Sequence, residues 1–327
     1  MQQIVAADIG GTHARFALAT IDHGVVKELG ACVTLKTSDF VSFERAWNAF
    51  EERIGSKLPS YLSLAVAAPV TNEEFSLTNS HWQIRRSQVV SQLELNSMVV
   101  INDFAAVAHA ISVVDDEDLR HITGPKEQLP TSGVITIVGP GTGLGAAILV
   151  RDGNHLDRVI DTEGGHIDFA PLDSLEDRIV EQLRKKFGRV SVERLVSGPG
   201  LLNIYEVLRK LENEADVVRD EASLWSSALD ETDQIAAIAL DRFCLSLGAI
   251  AGDLALAHGA SAVVIAGGIG KRLGDRLASS GFASRFVAKG RFERRLAAIP
   301  VKLMTYPEPG LLGAAVAYAR EEPGRST

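Results

Sequence analysis

The feature that most constrains the fold of this chain is a strand–turn–strand pattern that occurs twice. Residues 4–18 read IVAADIGGTHARFAL, and residues 134–148 read VITIVGPGTGLGAAI. In both copies an apolar strand enters a turn of glycine and threonine, and a second apolar strand follows, as in a hairpin. Such turns are common enough for coincidence, but the shared Gly11-Thr12 and Gly141-Thr142 pairs favour an internal duplication. The chain is therefore expected to be a two-lobed α/β protein.

Composition sets the broad class of protein. The 327 residues are 46% hydrophobic and 23% charged, as in an ordinary globular protein, and the length suggests about two domains of about 150 residues. The formal net charge is −9 without any basic block, which argues against nucleic-acid binding, because that requires clustered lysine and arginine. We expect no membrane association, since neither an amino-terminal signal pattern nor 18 consecutive apolar residues are present.

The two cysteines indicate a reducing compartment. Cys32 and Cys244 are far apart in sequence, and neither belongs to a CxxC motif or to a cysteine–histidine pattern with zinc spacing. We interpret both as buried thiols of a cytoplasmic protein and expect no structural zinc.

A buried strand followed directly by two polar residues supplies the candidate catalytic group. The apolar run 98–101 predicts a strand, and the alanine-rich run after Asn102 and Asp103 predicts a helix. Open α/β sheets bind ligands at the carboxyl ends of their strands. Asp103 could therefore accept the proton of a substrate hydroxyl, with Asn102 holding a neighbouring hydroxyl. The alternative, which is favoured for this stretch alone, is that Asp103 only caps the helix.

The remaining periodicities predict further strands and helices. Phe40, Phe43, Trp47, Phe50 and Ile54 recur at helical spacing, which is typical of core packing rather than of a cofactor site. Helices are also expected over 86–95, 172–187 and 233–258 and from the residue after Gly200 through Leu211, with a closing small-residue helix after 309 that could pack closely on another. Strands are expected over 25–35, 62–70 and 262–266, a loop over 75–82 and a surface excursion over 212–222.

Four glycine-rich turns follow predicted strands, at residues 10, 141, 164 and 267. None matches GxxxxGKS/T or a GxGxxG that opens a helix, because the strand pattern resumes after residues 11 and 143. Glycine still lets backbone N–H groups approach a phosphate closely, and Thr12 and Thr142 add hydroxyls. Asp8 suits Mg²⁺, held directly or through water, because this ion prefers oxygen ligands. One glycine pair alone would usually be structural, but the repetition favours a split nucleotide site.

Six motifs together resemble one known family. They are Asp8-Ile-Gly-Gly-Thr, Ile101-Asn-Asp-Phe, Gly141-Thr-Gly-Leu-Gly, Glu163-Gly-Gly-His-Ile-Asp-Phe-Ala-Pro, Ser197-Gly-Pro-Gly-Leu and Ala266-Gly-Gly-Ile. Their order and span resemble the bacterial ATP-dependent glucokinases of the hexokinase/actin-like superfamily, in the proteobacterial type without zinc. The resemblance implies a duplicated RNase H-like α/β fold with mixed sheets and an interlobe cleft. We expect a small lobe of residues 1–113 plus 306–327 and a large lobe of residues 114–305.

The resemblance also implies a role for each motif. Asp103 becomes the general base toward the 6-hydroxyl of glucose, and the sugar-binding residues become Asn102, Asp103, Glu163, His166, Glu193 and, on a loop that also carries Trp82, Asn79. The nucleotide-binding residues become Asp8, Gly10, Gly11, Thr12, Gly141, Thr142 and Gly143 near the phosphates, with Gly267 and Gly268 near adenosine. Considered singly, Glu193 could merely begin a helix and His166 could be a core histidine. His13 stands where relatives usually have asparagine, and we assign it no role.

The implied reaction converts glucose and ATP to glucose 6-phosphate and ADP, with Mg²⁺ as cofactor and a homodimer as the expected assembly. The residues alone leave open a kinase for mannose, fructose or an N-acetylhexosamine, because hydroxyl-binding side chains do not disclose ring stereochemistry. The second alternative is a non-catalytic, sugar-responsive regulator or actin-like ATPase. A regulator of the related type would begin with a helix-turn-helix, whereas a strand is predicted from Ile4, and an actin-like ATPase has no need for Glu163 and Glu193.

Overall fold

The computed structural model describes residues 1–68, 70, 73–76, 81–153, 157–214 and 219–321. Its strands are β1 (Gln2–Ile9), β2 (His13–Asp22), β3 (Val25–Leu29), β4 (Val33–Lys36), β5 (Tyr61–Val66), β6 (Glu74–Ser76), β7 (Gln83–Arg85), β8 (Ser97–Asn102), β9 (Leu119–Thr123), β10 (Ser132–Pro140), β11 (Leu144–Asp152), β12 (Arg158–Thr162), β13 (Ala262–Ile265) and β14 (Val301–Met304).

The helices lie between groups of these strands and after the last one. They are α1 (Phe43–Ile54), α2 (Arg86–Gln92), α3 (Asp103–Ile111), α4 (Ser174–Phe187), α5 (Gly198–Leu211), α6 (Glu221–Leu229), α7 (Gln234–His258), α8 (Gly267–Leu273), α9 (Asp275–Ser279), α10 (Phe282–Val287), α11 (Glu293–Ala297) and α12 (Pro309–Glu321). Single 3₁₀ turns lie at Thr37–Asp39, Asp116–Asp118, Gly164–His166, Val192–Arg194 and Gly290–Phe292.

The chain divides into two compact units. The first comprises Met1–Val114 and Tyr306–Thr327, and the second comprises Asp115–Thr305. The first unit is discontinuous because α12 packs on α3 and on strands β1, β2, β5 and β8.

The sheet of the first unit has the order β3-β2-β1-β5-β8, with β4 also paired to β2. Strands β1 and β2 form an antiparallel hairpin, whereas β1, β5 and β8 are parallel. The register pairs Asp8 with Ala65 and Ala65 with Ile101. Since neighbouring strands lie about 4.8 Å apart, Asp8 is about 10 Å from the row that ends in Asn102, at the same edge of the sheet.

The sheet of the second unit repeats this order as β12-β11-β10-β13-β14, with β9 added antiparallel to β14. Its first two strands again form an antiparallel hairpin, and β10, β13 and β14 are parallel. The predicted duplication is therefore confirmed at the level of topology, and both sheets are mixed, as expected for an actin-like hexokinase fold.

Each unit has its own apolar core. In the first, the predicted face of α1 packs on the sheet: Phe43, Trp47 and Phe50 are buried, and Phe16 of β2 lies 5.2 Å from Phe50 between ring centroids. The closing helix packs as closely as its small residues predicted. A Cβ at Gly313 would lie 1.7 Å from the carbonyl oxygen of Ala106 in α3, so only glycine fits there.

The longest helix, α7, is the main core element of the second unit. By length and composition alone, Gln234–His258 could span a membrane, with a mean hydropathy of 1.6 in its most apolar window. However, 67% of that window is buried within the protein. Because an apolar helix buried on most of its surface is typical of a large core, we interpret α7 as a core helix.

Several local predictions were wrong. The segment 25–35 forms two short strands instead of one, and residues 75 and 76 of the predicted loop 75–82 belong to β6, which pairs with β7. Gly267 begins helix α8 instead of a simple turn, and strand β9 was not predicted at all. These elements are three to seven residues long, too short for periodicity to reveal.

Candidate active site

The candidate base lies where β8 passes into α3. The Oδ1 atom of Asn102 accepts hydrogen bonds from the backbone N–H groups of Phe104 at 2.8 Å and Ala105 at 3.2 Å. Asn102 is therefore the cap of α3, and the interpretation of Asp103 as the cap is wrong. Asp103 is the first helical residue, and its Oδ1 accepts the N–H of Phe104 at 2.9 Å. The helix amino terminus favours a negative charge at this position.

The first glycine turn joins β1 to β2 and presents a threonine. The turn closes through a hydrogen bond from Gly10 N–H to the carbonyl of His13, 2.9 Å long. Thr37 braces it twice, donating its hydroxyl to the Gly11 carbonyl at 2.7 Å and its N–H to the Thr12 carbonyl at 3.0 Å. Thr12 itself is exposed, so its hydroxyl is accessible to a ligand. This bracing by Thr37 was not evident from the sequence.

Asp8 precedes this turn and shares a cation with another carboxylate. Arg15, its partner across the hairpin, places Nη1 3.5 Å from Asp8 Oδ2 and Nε 3.4 Å from Glu308 Oε2. The Asp8 side chain is 20% exposed, and burial raises its pKa above the ordinary value, while the guanidinium of Arg15 opposes that rise. A Cβ on Gly310 would lie 2.6 Å from the Asp8 carboxylate. The carboxylate is thus fixed by α12 from one side and by β2 from the other.

The second glycine turn has the same form in the second unit. Gly141 N–H donates to the Gly143 carbonyl at 2.8 Å, and Thr142 at the tip is exposed. The Gly141 carbonyl in turn accepts the N–H of Gly198, the first residue of α5, at 2.8 Å. Both turns therefore offer an accessible threonine and a backbone held by neighbouring elements, as a phosphate site requires.

Three of the predicted sugar ligands cluster in the second unit. His166 Nε2 lies 3.9 Å from Glu163 Oε2 and 4.0 Å from Glu193 Oε2, distances longer than a hydrogen bond. The His166 side chain is 57% exposed and the Glu163 side chain 65% exposed, so His166 is not a core histidine. Glu193 lies in a 3₁₀ turn rather than at the start of a helix. The cluster presents carboxylates and an imidazole, which accept and donate hydrogen bonds as sugar hydroxyls do.

The backbone around this cluster is held by Arg189, which the sequence did not single out, and by Ser197, which opens one of the six motifs. Arg189 donates to the carbonyl of His166 and, through Nε, to Asp168 Oδ1 at 2.6 Å. Ser197 donates its hydroxyl to the Glu193 carbonyl at 2.7 Å and also caps α5 by accepting from Gly200 N–H. No sequence signal distinguishes Arg189 from an ordinary surface arginine, whereas Ser197 belongs to a motif to which the sequence assigned no role.

The glycine pair assigned to adenosine begins α8. Gly267 has a φ of +80°, and a Cβ there would lie 2.6 Å from the carbonyl oxygen of Pro140, the last residue of β10. Both the backbone angle and the close approach of β10 require glycine at residue 267. Gly268 has open space around its Cβ position, as a residue that faces a ligand would need.

The structure describes only part of the predicted sugar-side loop. Asn79 lies outside the described residues. Trp82 is buried in the core, where its Nε1 donates to the Phe40 carbonyl at 2.9 Å. Trp82 is therefore a core residue with a satisfied indole N–H, and the assignment of the loop to the sugar side stays a prediction.

Comparisons with known proteins agree with this geometry. The glucokinase family model matches residues 5–321. The chain is 55% identical to the glucokinase of Zymomonas mobilis over 320 residues, which is 98% of both chains. Among solved structures, a glucokinase from an Antarctic psychrotroph superposes with a TM-score of 0.81 at 35% identity, over 97% of this chain and 98% of that one.

A more distant structure extends the likeness of fold. The glucokinase of Balamuthia mandrillaris, solved in complex with glucose, has a TM-score of 0.78 at 23% identity, over 98% of this chain and 94% of that chain. The fold and the carboxylate sites thus define a sugar kinase of the actin-like hexokinase type. The chain belongs to the glucokinase family, whose members phosphorylate glucose with ATP.

Proposed function

We propose that this chain transfers the γ-phosphoryl group of ATP to the 6-hydroxyl of glucose, with Asp103 as the general base. The observation that supports the proposal is that Asn102 caps α3, so that Asp103 is the first helical residue and directly follows the carboxyl end of β8. In the reaction, the sugar O6 forms a bond to the γ-phosphorus as the bond from phosphorus to the ADP oxygen breaks. The proton of the 6-hydroxyl passes to Asp103.

The sugar ligands divide by hydrogen-bonding character. Asn102 offers only its NH₂ donors, because its oxygen caps the helix. Glu163 and Glu193 offer acceptors, and His166 lies between them. We assign these four side chains, with Asn79, to the ring hydroxyls of glucose. A set that mixes donors with acceptors suits neighbouring hydroxyls, which each donate one hydrogen bond and accept others.

The nucleotide side is assigned to the glycine turns. Gly10, Gly11 and Thr12, together with Gly141, Thr142 and Gly143, would hold the phosphates through N–H groups and hydroxyls, while Gly267 and Gly268 would lie near adenosine. Mg²⁺ would enter with ATP and neutralise the charge on the phosphates. Asp8 suits it as a ligand, directly or through water, because Mg²⁺ prefers oxygen ligands and retains several waters.

The wider organisation completes the proposal. We assign the small lobe to the unit that contains Asp103 and the large lobe to the unit that contains Glu163, and we expect a homodimer. A cytoplasmic location fits two free cysteines, of which Cys244 is buried.

The direct test is sugar-dependent release of ADP from Mg-ATP by the purified protein, with glucose, mannose, fructose and N-acetylglucosamine as separate substrates. We expect glucose to give the highest kcat/KM and the product to carry phosphate on O6. Higher kcat/KM with another hexose would replace glucose in the proposal. ADP release at the same rate without sugar would instead support an actin-like ATPase. Addition of EDTA should abolish turnover, and Mg²⁺ should restore it.

A further inference from the structure

The sugar cluster and the phosphate turn of the second unit meet on one short backbone segment, Gly143-Leu144. The Leu144 N–H donates to Glu193 Oε2 at 3.2 Å. On its other side, the Leu144 carbonyl oxygen lies 2.1 Å from the position that a Cβ on Gly165 would occupy. The turn that carries His166 therefore packs directly on the backbone that follows the phosphate turn.

Gly143 leaves the space in which the carboxylate of Glu193 lies. A Cβ at residue 143 would be 2.3 Å from Glu193 Oε2 and 3.2 Å from its Cδ. The φ of Gly143 is not in the left-handed region, so its φ is one that alanine can adopt. What glycine provides here is therefore space for a neighbouring side chain, not conformational freedom.

The backbone of Glu193 is held by contacts that do not involve Gly143. Its carbonyl accepts the Ser197 hydroxyl at 2.7 Å, and the Ser191 carbonyl accepts the Arg194 N–H next to it at 3.0 Å. An added methyl group at residue 143 would consequently displace the flexible carboxylate end of Glu193 while its backbone stays in place.

We propose that Gly143 and Leu144 are positioning residues for sugar recognition: they fix the carboxylate of Glu193, in addition to any contact of the turn with phosphate. The inference rests on the proposed role of Glu193 as a sugar ligand. It makes the phosphate turn part of the sugar site of this unit even when no nucleotide is bound. Sugar affinity should therefore depend on a residue that touches no sugar.

The test measures glucose binding by titration calorimetry without nucleotide, in the full-length wild type and in Gly143→Ala. We expect the dissociation constant to rise about tenfold in Gly143→Ala, because one charged hydrogen-bond acceptor is displaced. Gly141→Ala is the matched control, since no atom lies within 4 Å of the added Cβ, and its dissociation constant should stay within about twofold of wild type. Circular dichroism confirms that each variant is folded.

A double-mutant cycle separates positioning from general damage to the turn. In a Glu193→Ala background, Gly143→Ala should change the dissociation constant by less than about twofold, because the carboxylate that it displaces is absent. An equal loss in both backgrounds, or no loss in the wild-type background, would overturn the inference while leaving the proposed function intact. Failure of the wild type to bind glucose would overturn both.

Discussion

The side-chain oxygen of Asn102 accepts the backbone N–H of Phe104 at 2.8 Å. The cap occupies the acceptor of this amide and leaves its NH₂ group for a ligand. One residue thus begins the helix that carries Asp103 and orients a hydrogen-bond donor beside it. Capping requires the side-chain oxygen, whereas donation to a ligand requires the NH₂ group, so a substitution can remove one of these functions and keep the other.

Asn102→Asp should retain the cap and lose the donor. Aspartate caps helices as well as asparagine does, so we expect the thermal midpoint to stay within about 3 °C of wild type. We expect kcat/KM for glucose to fall about 100-fold, because the N–H donor is lost and a second negative charge lies beside Asp103. Asn102→Ala should show the kinetic loss together with about 1 kcal/mol of lost stability. Steady-state kinetics and thermal unfolding of both variants test this, and wild-type kcat/KM in Asn102→Asp would contradict it.

This junction also shows what sequence reasoning could and could not predict. The apolar run and the alanine-rich segment correctly placed a strand and a helix on either side of residues 102 and 103. They could not decide which of the two polar residues caps the helix, because asparagine and aspartate cap equally well. That choice depends on backbone angles at one residue: Asn102 has φ −65° and ψ 149°, outside the helix.

Asp8→Asn should stabilise the fold and impair nucleotide use. The pKa of Asp8 is raised, chiefly by burial. When the pKa of a carboxyl group is higher in the folded chain than in the unfolded chain, the free energy of unfolding falls as pH rises from the unfolded-state pKa to the folded-state pKa. At pH 7 its ionised form is therefore a net penalty that asparagine removes. We expect a higher free energy of unfolding in urea for Asp8→Asn at pH 7, and a difference from wild type that narrows as pH falls toward 4.

Asp22 provides the control of opposite sign. Its pKa is lowered, first by a hydrogen bond with His23, so Asp22→Asn should not stabilise the protein at pH 7. Equal stabilisation by both substitutions would show a general effect of removing negative charge from a chain of net charge −9, and would contradict the account of Asp8.

His109→Gln should flatten the acid side of the stability curve. His109 lies on α3, its Nδ1 is 3.3 Å from Arg320 Nη1, and burial, together with the charge of Arg320, lowers its pKa to about 4. The unfolded chain takes up a proton near pH 6.5, whereas the folded chain does so only near 4, so stability is lost as pH falls between these values. Between pH 6.5 and 5, His109 lowers the free energy of unfolding by about 2 kcal/mol.

Glutamine retains an oxygen that can accept from Arg320, and it does not titrate. The free energies of unfolding in urea of wild type and His109→Gln, measured at pH 7.5, 6.5 and 5, should therefore diverge below pH 6.5. The free energy of unfolding of the variant should fall less than that of wild type. Parallel loss in both proteins would show that other groups cause the acid sensitivity.

The sequence predicted the larger pattern better than its short elements. Repeated glycine–threonine turns correctly indicated two sheets of one topology, because apolar strands and glycine turns are local signals. Strands β6 and β7 and the burial of Trp82 were missed, since three-residue strands have no measurable period and burial depends on distant partners such as Phe40. The clustering of Glu163, His166 and Glu193 likewise depends on tertiary structure, and only the family resemblance connected them.

The most direct test of the account is turnover by Asp103→Asn. Asparagine is nearly isosteric and retains an oxygen for the Phe104 N–H that Asp103 now accepts, but it cannot take a proton from the sugar. At saturating glucose and Mg-ATP we expect kcat to fall at least about 100-fold, while the dissociation constant for glucose changes less than about threefold. A kcat within tenfold of wild type would contradict the assignment of Asp103 as the general base.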